Sequence, residues 1–448
     1  MDWSNLIRLN RLGNEDYPDR PDRPIYVQDL DRIAFCAPFR RLAHKTQVHP
    51  LYDNDHVHHR LIHSVETASV GRSLGMSVGS FLEENEKISA GEKHVVSGLV
   101  QAACLAHDIG NPPFGHSGEE AIGQWFSEKF VASSGFLGGI DQKDRREFEK
   151  FEGNAQGFRI LTRLEMYTNQ GGMQLAHGVL GAFTKYPVTA HVSHFLKQGN
   201  SNELYCGAKK FGFFSSEEVL FAEVASSLGL PQETCDGGTW WRRHPLVFLV
   251  EAADDICYNI IDVEDAYFSN DLSFEVVENV LGPLAGRSNR SDDNRTHGEL
   301  IAYMRARGIG AAIEACVEAF KENYDEIMAG TFSRSLIEVS SKSEEFHEIK
   351  VLAKSRIFKG RRKTELEVLG RNIIHRVLDG IFPVIQALQK CDWDEKQLEG
   401  YNAQVVRALG IDLRFAQDPY SALHAMTDYV SGMTDRYSVK VAEMLSGR

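Results

Sequence analysis

Apolar residues recur at three- and four-residue intervals through most of the chain, and only 13 prolines in 448 residues interrupt them. That period marks helices with one buried face, so the expected fold class is all-α. The spacing predicts helices over 61–82 and 95–107, the second stopped by Gly110, Pro112 and Pro113. Ser117, with Glu120 three residues on, reads as a capping box for a helix reaching Phe130. Helical patterning resumes from Asn154 to Tyr167, in an apolar helix opened by Pro245 and running to Ile261, and from Glu299 to the end. Residues 132–150 read as an exposed connection and 198–216 as a long loop. The polar stretch 283–297 marks a boundary, giving an N-terminal arm (1–35), a core (36–282) and a C-terminal helical region (298–448).

Charge and cysteine content narrow the function. A net charge of −14 makes a general polyanion binder a poor fit, so any phosphate must meet local cationic groups. Seven cysteines, at 36, 104, 206, 235, 257, 316 and 391, include no C-x-x-C pair. That spacing suits neither a disulfide framework nor a zinc knuckle; it predicts core thiols in a reducing, cytoplasmic compartment. No run approaches the ~20 apolar residues of a membrane span, and the start, Met-Asp-Trp-Ser-Asn-Leu, lacks a signal-peptide pattern.

Histidine placement carries the chemistry. Six of the 17 histidines fall between 44 and 63: His44, His49, His56, His58, His59 and His63. Arg60 and His63 are three apart on a predicted helix and share a face, which Glu66 extends. An alanine-rich helix ends in the adjacent pair His107-Asp108, followed by Ile-Gly-Asn-Pro-Pro-Phe-Gly-His116. Adjacent side chains diverge by about 100° on a helix, so both reach one ion only where the helix stops against it. A further carboxylate is offered by Glu251-Ala-Ala-Asp254-Asp255-Ile-Cys-Tyr258, with Asp262 four residues on. Asp254, Tyr258 and Asp262 line one slowly rotating face of an otherwise apolar helix, and Asp255 points elsewhere. Acids in such a segment are costly to bury unless paired or metal-bound. Two imidazoles and two carboxylates suit Mn, Fe, Co or Ni better than a structural zinc.

Each element also has a plain structural explanation. A lone His63 is a satisfied helix histidine, and a lone His-Asp pair is a cap with a dipole partner. Asp254 and Asp255 have potential ion-pair partners in Arg242 and Arg243. Together, in this order and with the helix stop after His107-Asp108, they favour a metal site.

The set resembles the HD-domain phosphohydrolases, and more narrowly the bacterial dGTP triphosphohydrolase family. The resemblance rests on Phe39-Arg-Arg-Leu42, Lys45-Thr-Gln47-Val48, Arg60-Leu-Ile-His63-Ser and His107-Asp-Ile-Gly-Asn-Pro-Pro-Phe-Gly-His116. It continues through Phe151-Glu-Gly-Asn154-Ala-Gln156-Gly, Lys185-Tyr186 and Glu251 to Tyr258. It implies metal-dependent hydrolysis of a deoxynucleoside triphosphate, dGTP foremost, to deoxynucleoside and inorganic tripolyphosphate. By the same resemblance His63, His107, Asp108 and Asp254 would hold the divalent ion (Mn, Mg, Co, Fe or Ni). Glu119 would orient His116, the proton carrier at the scissile bond. Gln47 and Asp262 would bind the 3′-hydroxyl, with Val48 beside them, and Tyr258 would pack against the 2′ carbon and exclude a ribose hydroxyl. Arg60 and Lys185 would neutralise the triphosphate, with Tyr186 nearby. Taken alone, Arg60 and Lys185 fit a solvated helix face and Tyr258 fits plain core packing.

The resemblance also implies a homo-oligomer, a hexamer by analogy. The alternatives are another HD-domain phosphodiesterase or nucleotidase, and a catalytically silent nucleic-acid-binding or regulatory relative. Lys354, Arg356, Lys359, Arg361, Arg362 and Lys363 form the densest basic stretch. It suits single-stranded DNA, an allosteric nucleotide at an oligomer interface, or a solvated helix end. Lys209-Lys210-Phe211-Gly-Phe213-Phe214 interleaves basic and aromatic groups as single-strand binders do, but so does a loop folded onto the core. His56, His58 and His59 read as exposed loop histidines.

Overall fold

The structure, a computed structural model, describes residues 1–47, 59–132, 136–199, 204–286, 294–357 and 361–447. Val48, His49, His56, His58, Lys359 and the middle of the 283–297 stretch lie outside the described residues, as do the side chains of Arg361, Arg362 and Lys363. Three helices, α1 (Trp3–Leu6), α2 (Ile25–Phe35) and α3 (Ala37–Arg41), precede the long pair α4 (Arg60–Glu84) and α5 (Lys93–Ala106). Next come α6 (His116–Ala132), α7 (Gln142–Glu149), α8 (Gly153–Arg159), α9 (His177–Phe183), α10 (Ala190–Gln198) and α11 (Glu218–Leu228). An antiparallel hairpin, β1 (Gln232–Cys235) and β2 (Gly238–Trp241), is the one sheet among the described residues. Six more helices follow it: α12 (Val247–Phe268), α13 (Phe274–Ala285), α14 (His297–Glu322), α15 (Tyr324–Ala329), α16 (Leu336–Val339) and α17 (Ser343–Leu352). The last four are α18 (Arg361–Lys390), α19 (Gly400–Leu409), α20 (Pro419–Ser431) and α21 (Asp435–Leu445). The fold is all-α apart from the hairpin.

A stripe of small residues sets how the first long pair meets. Gly71, Gly75 and Gly79 lie one turn apart on α4, and a Cβ there would come within 2.4 Å of Cys104 Sγ, 2.8 Å of Ser97 Cα and 2.8 Å of Lys93 Cα. The missing side chains let α4 and α5 run antiparallel in close contact. As a result the start of α4, with His63, and the end of α5, with His107, lie at the same end of the pair. The apolar helix α12 packs across both. It buries Ile256, Cys257 and Ile260, each worth about 1.5–3 kcal/mol if aliphatic and fully buried.

Several local expectations need correction. The first 35 residues are no loose arm: Trp3, Leu6 and Ile25 are buried, and Arg11 and Asp29 form a fully buried ion pair at 2.6 Å. Helix α6 starts at His116, so Ser117 lies inside its first turn rather than capping it. The span 132–150 contains α7, and Phe148 and Glu147 on it are fully buried. Dense charge misled there because Glu147 is taken up by a polar network, accepting from Ser215 Oγ, His424 Nε2 and Tyr420 Oη. The Asn154–Tyr167 pattern is α8 followed by a π turn, Ile160–Leu164. Helix α12 runs seven residues beyond the expected Ile261. The described ends of the 283–297 stretch belong to α13 and α14, which pack on each other. No helix among the described residues is long and apolar enough to cross a membrane.

Candidate active site

At the shared end of α4 and α5, Nε2 of His63, Nε2 of His107 and Oδ1 of Asp254 converge. His63 Nε2 lies 3.0 Å and His107 Nε2 3.6 Å from Asp254 Oδ1, and the three donor atoms fall within 4.8 Å of one another. The two rings meet edge to face, 5.2 Å between centroids. His107 Nδ1 lies 2.7 Å from the Cys104 carbonyl oxygen, which can only accept. Nδ1 therefore carries the proton, and the Nε2 lone pair faces the cluster. That Nε2 is buried with no hydrogen-bond partner, a costly arrangement unless an ion completes it. Two imidazole nitrogens and a carboxylate form a donor set that fits a divalent cation.

Charge around these groups is strongly organised. Burial by itself would raise Asp254, but the neighbouring His107 imidazole and the hydrogen bond from His63 hold its carboxyl well below the usual range. Burial opposes charging of His63, yet Asp254 keeps that imidazole above its ordinary value. Asp108 stands beside the trio, its Oδ1 3.5 Å from His107 Nε2. Its Oδ2 accepts from Arg60 Nη1 at 2.7 Å and its Oδ1 from Asn111 Nδ2 at 2.5 Å. Both members of the Arg60–Asp108 pair are buried, so removing either would cost about 3–5 kcal/mol. Asp255 also borders the cavity but is engaged elsewhere, its Oδ2 3.6 Å from Lys350 Nζ. Neither Arg242 nor Arg243 pairs with Asp254 or Asp255: Arg243 binds Glu251 at 3.0 Å and Arg242 binds Glu233 at 3.0 Å.

A cavity of about 760 Å³ opens from this corner, a volume suited to a small ligand. His107, Asp108, Asp254 and Arg60 form one end of its lining. His116 and Glu119 lie on the same wall, with His116 Nδ1 2.7 Å from Glu119 Oε2. The hydrogen bond to Glu119 raises the His116 pKa. Burial would push Glu119 up, but His116 and Lys210 hold it down, and its Oε1 accepts from the Gly153 N–H at 2.7 Å. The His116 side chain is 81% exposed and that of Glu119 only 9%, so the carboxylate is fixed and the imidazole faces solvent.

Gln47, Lys185, Tyr186 and Tyr258 also line the cavity, and Gln47 Oε1 is buried there without a hydrogen-bond partner. Asp262 does not join them on the wall. It is 5% exposed, two turns beyond Asp254, and stands by Tyr258, whose hydroxyl is pushed up by burial and by the Asp262 charge. Arg60 and Lys185, expected to neutralise the triphosphate, are each paired with a carboxylate here, Arg60 with Asp108 and Lys185 with Glu251 at 3.2 Å. Burial would raise Glu251, but Arg243 and Lys185 hold it at about 2.

Further groups to which the motif spacing assigned no role stand in and around the cavity. Lys210, on the basic-aromatic run, enters the cavity and sits 3.0 Å from Glu152. Phe211, Phe213 and Phe214 of that run are buried, so they offer no stacking platform. Thr46 and Asn111 line the wall too, and both stood inside motifs whose neighbours drew attention. His59 caps α4, its Nδ1 accepting from the Ile62 N–H.

An HD domain model matches residues 60–154, the span holding His63, His107, Asp108, His116 and Glu119. A deoxyguanosinetriphosphate triphosphohydrolase-like protein of Pseudomonas aeruginosa is 38% identical over 100% of this chain and 99% of its own. One from Synechocystis is 35% identical over 100% and 99%. The chain belongs to the deoxyguanosinetriphosphate triphosphohydrolase-like family of HD-domain proteins. More distantly, a deoxyguanosinetriphosphate triphosphohydrolase of Yersinia pestis is 27% identical over 92% of each chain. HD domains bind divalent metals, and in this family member the His63, His107 and Asp254 donors are the group able to hold one among the described residues.

Proposed function

We propose that the protein hydrolyses a deoxynucleoside triphosphate, dGTP foremost, to the deoxynucleoside and inorganic tripolyphosphate. The observation that carries it is one cavity lined by His107 and Asp254 of the three-donor corner, by the His116–Glu119 pair and by Gln47 and Tyr258. The names of the relatives support the same substrate class. A divalent ion held by His63, His107 and Asp254, with Asp108 beside them, supplies Lewis acidity toward the α-phosphate when bound.

The chain's own groups account for the remaining steps. Arg60, Lys185 and Lys210 each exchange part of a carboxylate contact for a phosphate oxygen, which suits an acidic protein that keeps its cations neutralised until substrate arrives. Water attacks the α-phosphorus and gives up a proton to solvent, the bond from phosphorus to the 5′ oxygen breaks, and His116 delivers a proton to that oxygen and is recharged from solvent. Glu119 keeps the imidazole charged and oriented. Gln47 offers its unpartnered oxygen to the 3′-hydroxyl, and the Tyr258 ring occupies the space a 2′-hydroxyl would need. The test is a panel of dNTPs and NTPs with Mn, Mg and Co, products read by phosphorus NMR. Tripolyphosphate from dGTP is expected. Pyrophosphate or orthophosphate would point to another HD-domain phosphohydrolase, and no turnover at all to a silent relative.

A further inference from the structure

The strongest unexplained polar group near the cavity comes from the far end of the chain. Asp435, the first residue of α21, is 2% exposed; the Lys45 and Arg60 charges stand near it, but no cation among the described residues is bonded to it. Its Oδ1 accepts from the Phe114 N–H at 3.0 Å. Its Oδ2 accepts from the Thr46 N–H at 3.0 Å and from Thr46 Oγ1 at 2.6 Å. Thr46 precedes Gln47, and Phe114 stands two residues before His116. One carboxylate thus grips the backbone of both segments that carry proposed substrate-contacting groups.

We infer that Asp435 is a positioning residue for the reaction, fixing the His116 turn against the Gln47 segment; this rests on the roles proposed above for those two side chains.

The local backbone explains why such a hold is needed. Phe114 has φ +64° and Gly115 φ +57°, so the chain enters α6 through a left-handed pair. Phe114 is not a glycine, and a residue in that region persists only where its surroundings over-determine it. Asp435 supplies one constraint through the amide. Gly370 of α18 supplies another, since a Cβ there would approach Phe114 Cγ to 2.8 Å. Gly115 in turn leaves room for Arg60, whose Nη2 lies 2.4 Å from where its Cβ would be.

A second tie runs parallel to the first. Lys45 Nζ is buried and donates to the Asn111 carbonyl at 2.6 Å and to the Ser431 carbonyl at 2.6 Å. Lys45 and Asp435 therefore brace the same three segments, around 45–46, 111–114 and 431–435. Asp435 is the member that touches residues next to the functional side chains.

Asp435→Asn keeps the shape but places an amide N–H where one of three donors now points. In the full-length protein with Mn, kcat for tripolyphosphate release from dGTP should fall about 10- to 100-fold, in keeping with an ångström-scale misplacement. Bound Mn after dialysis should be unchanged. In ¹⁵N-histidine NMR the His116 imidazole, assigned with His116→Gln, should titrate at lower pH as its contact with Glu119 loosens. Thr46→Val removes only the hydroxyl contact and should raise KM more than it lowers kcat; it also serves if Asp435→Asn does not fold. Wild-type kinetics in both variants with an unmoved His116 titration overturns the inference, as does a loss of kcat that only follows the loss of folded protein. Should the wild-type protein release tripolyphosphate from no dNTP, the proposed function fails, and the His116 titration alone decides the role of Asp435.

Discussion

His63, His107 and Asp254 each stand on a helix that packs on the other two, whereas His116 stands on the first turn of a helix entered through a left-handed pair. The first corner inherits its geometry from apolar contact: the glycine stripe of α4, the small-residue face of α5 and the buried face of α12. The second is placed by polar ties, from Glu119 to Gly153 and from Phe114 to Asp435. Helix packing tolerates the loss of one polar contact. A turn held by a few hydrogen bonds does not, so the two ends of the cleft should respond differently to substitution.

The largest effect is expected at the packed corner. Asp254→Ala should remove bound metal and turnover together, read by metal content after dialysis and by product release. Asp255→Ala, whose carboxylate faces Lys350, should keep the metal. If Asp255→Ala stripped more metal than Asp254→Ala, the geometry assigned to that corner would be wrong. His116→Ala comes next: metal content should stay at the wild-type level while kcat falls about 10²- to 10⁴-fold. A wild-type rate would take His116 out of the chemistry and erase the distinction between the two ends.

A pH profile sharpens the comparison further. Glu119 raises the His116 pKa, so the imidazolium persists to higher pH than a free histidine. Activity that needs this proton should fall as pH rises through the raised value. The same pair favours the folded state below the ordinary histidine pKa, and that contribution is lost as pH rises through the raised one. Glu119→Gln should therefore move the alkaline limb of kcat to lower pH; an unmoved limb assigns it to another group. The smallest effect is expected at Tyr258. Tyr258→Ala should narrow the preference for dGTP over GTP about tenfold, measured as the ratio of kcat/KM values.

Much of the metal corner was legible in the sequence. The glycine-proline stop after His107-Asp108, and the three-residue step from Arg60 to His63, are local signals. The four-residue step distinguished Asp254 from Asp255, because side-chain direction on a helix follows directly from spacing. The same repeat brings Asp262 beside Tyr258, in a buried position. The pairing of Arg60 with Asp108 and of Lys185 with Glu251 was not legible: spacing shows that a cation is present, not which carboxylate has already claimed it. Residues 132–150 looked like a solvated connection because Glu147 has no sequence neighbour that announces its burial with Tyr420 and His424.

By itself the sequence determined the all-α class, the helix stop after His107-Asp108 and the donor types around it. All of these depend on residues within a turn or two of one another. The tertiary structure alone decided which donors meet, which cations are already neutralised, and that residue 435 closes on residues 46 and 114. Hydrogen bonds between segments more than 300 positions apart leave no periodic trace, since neither partner constrains its own neighbours until the chain has folded.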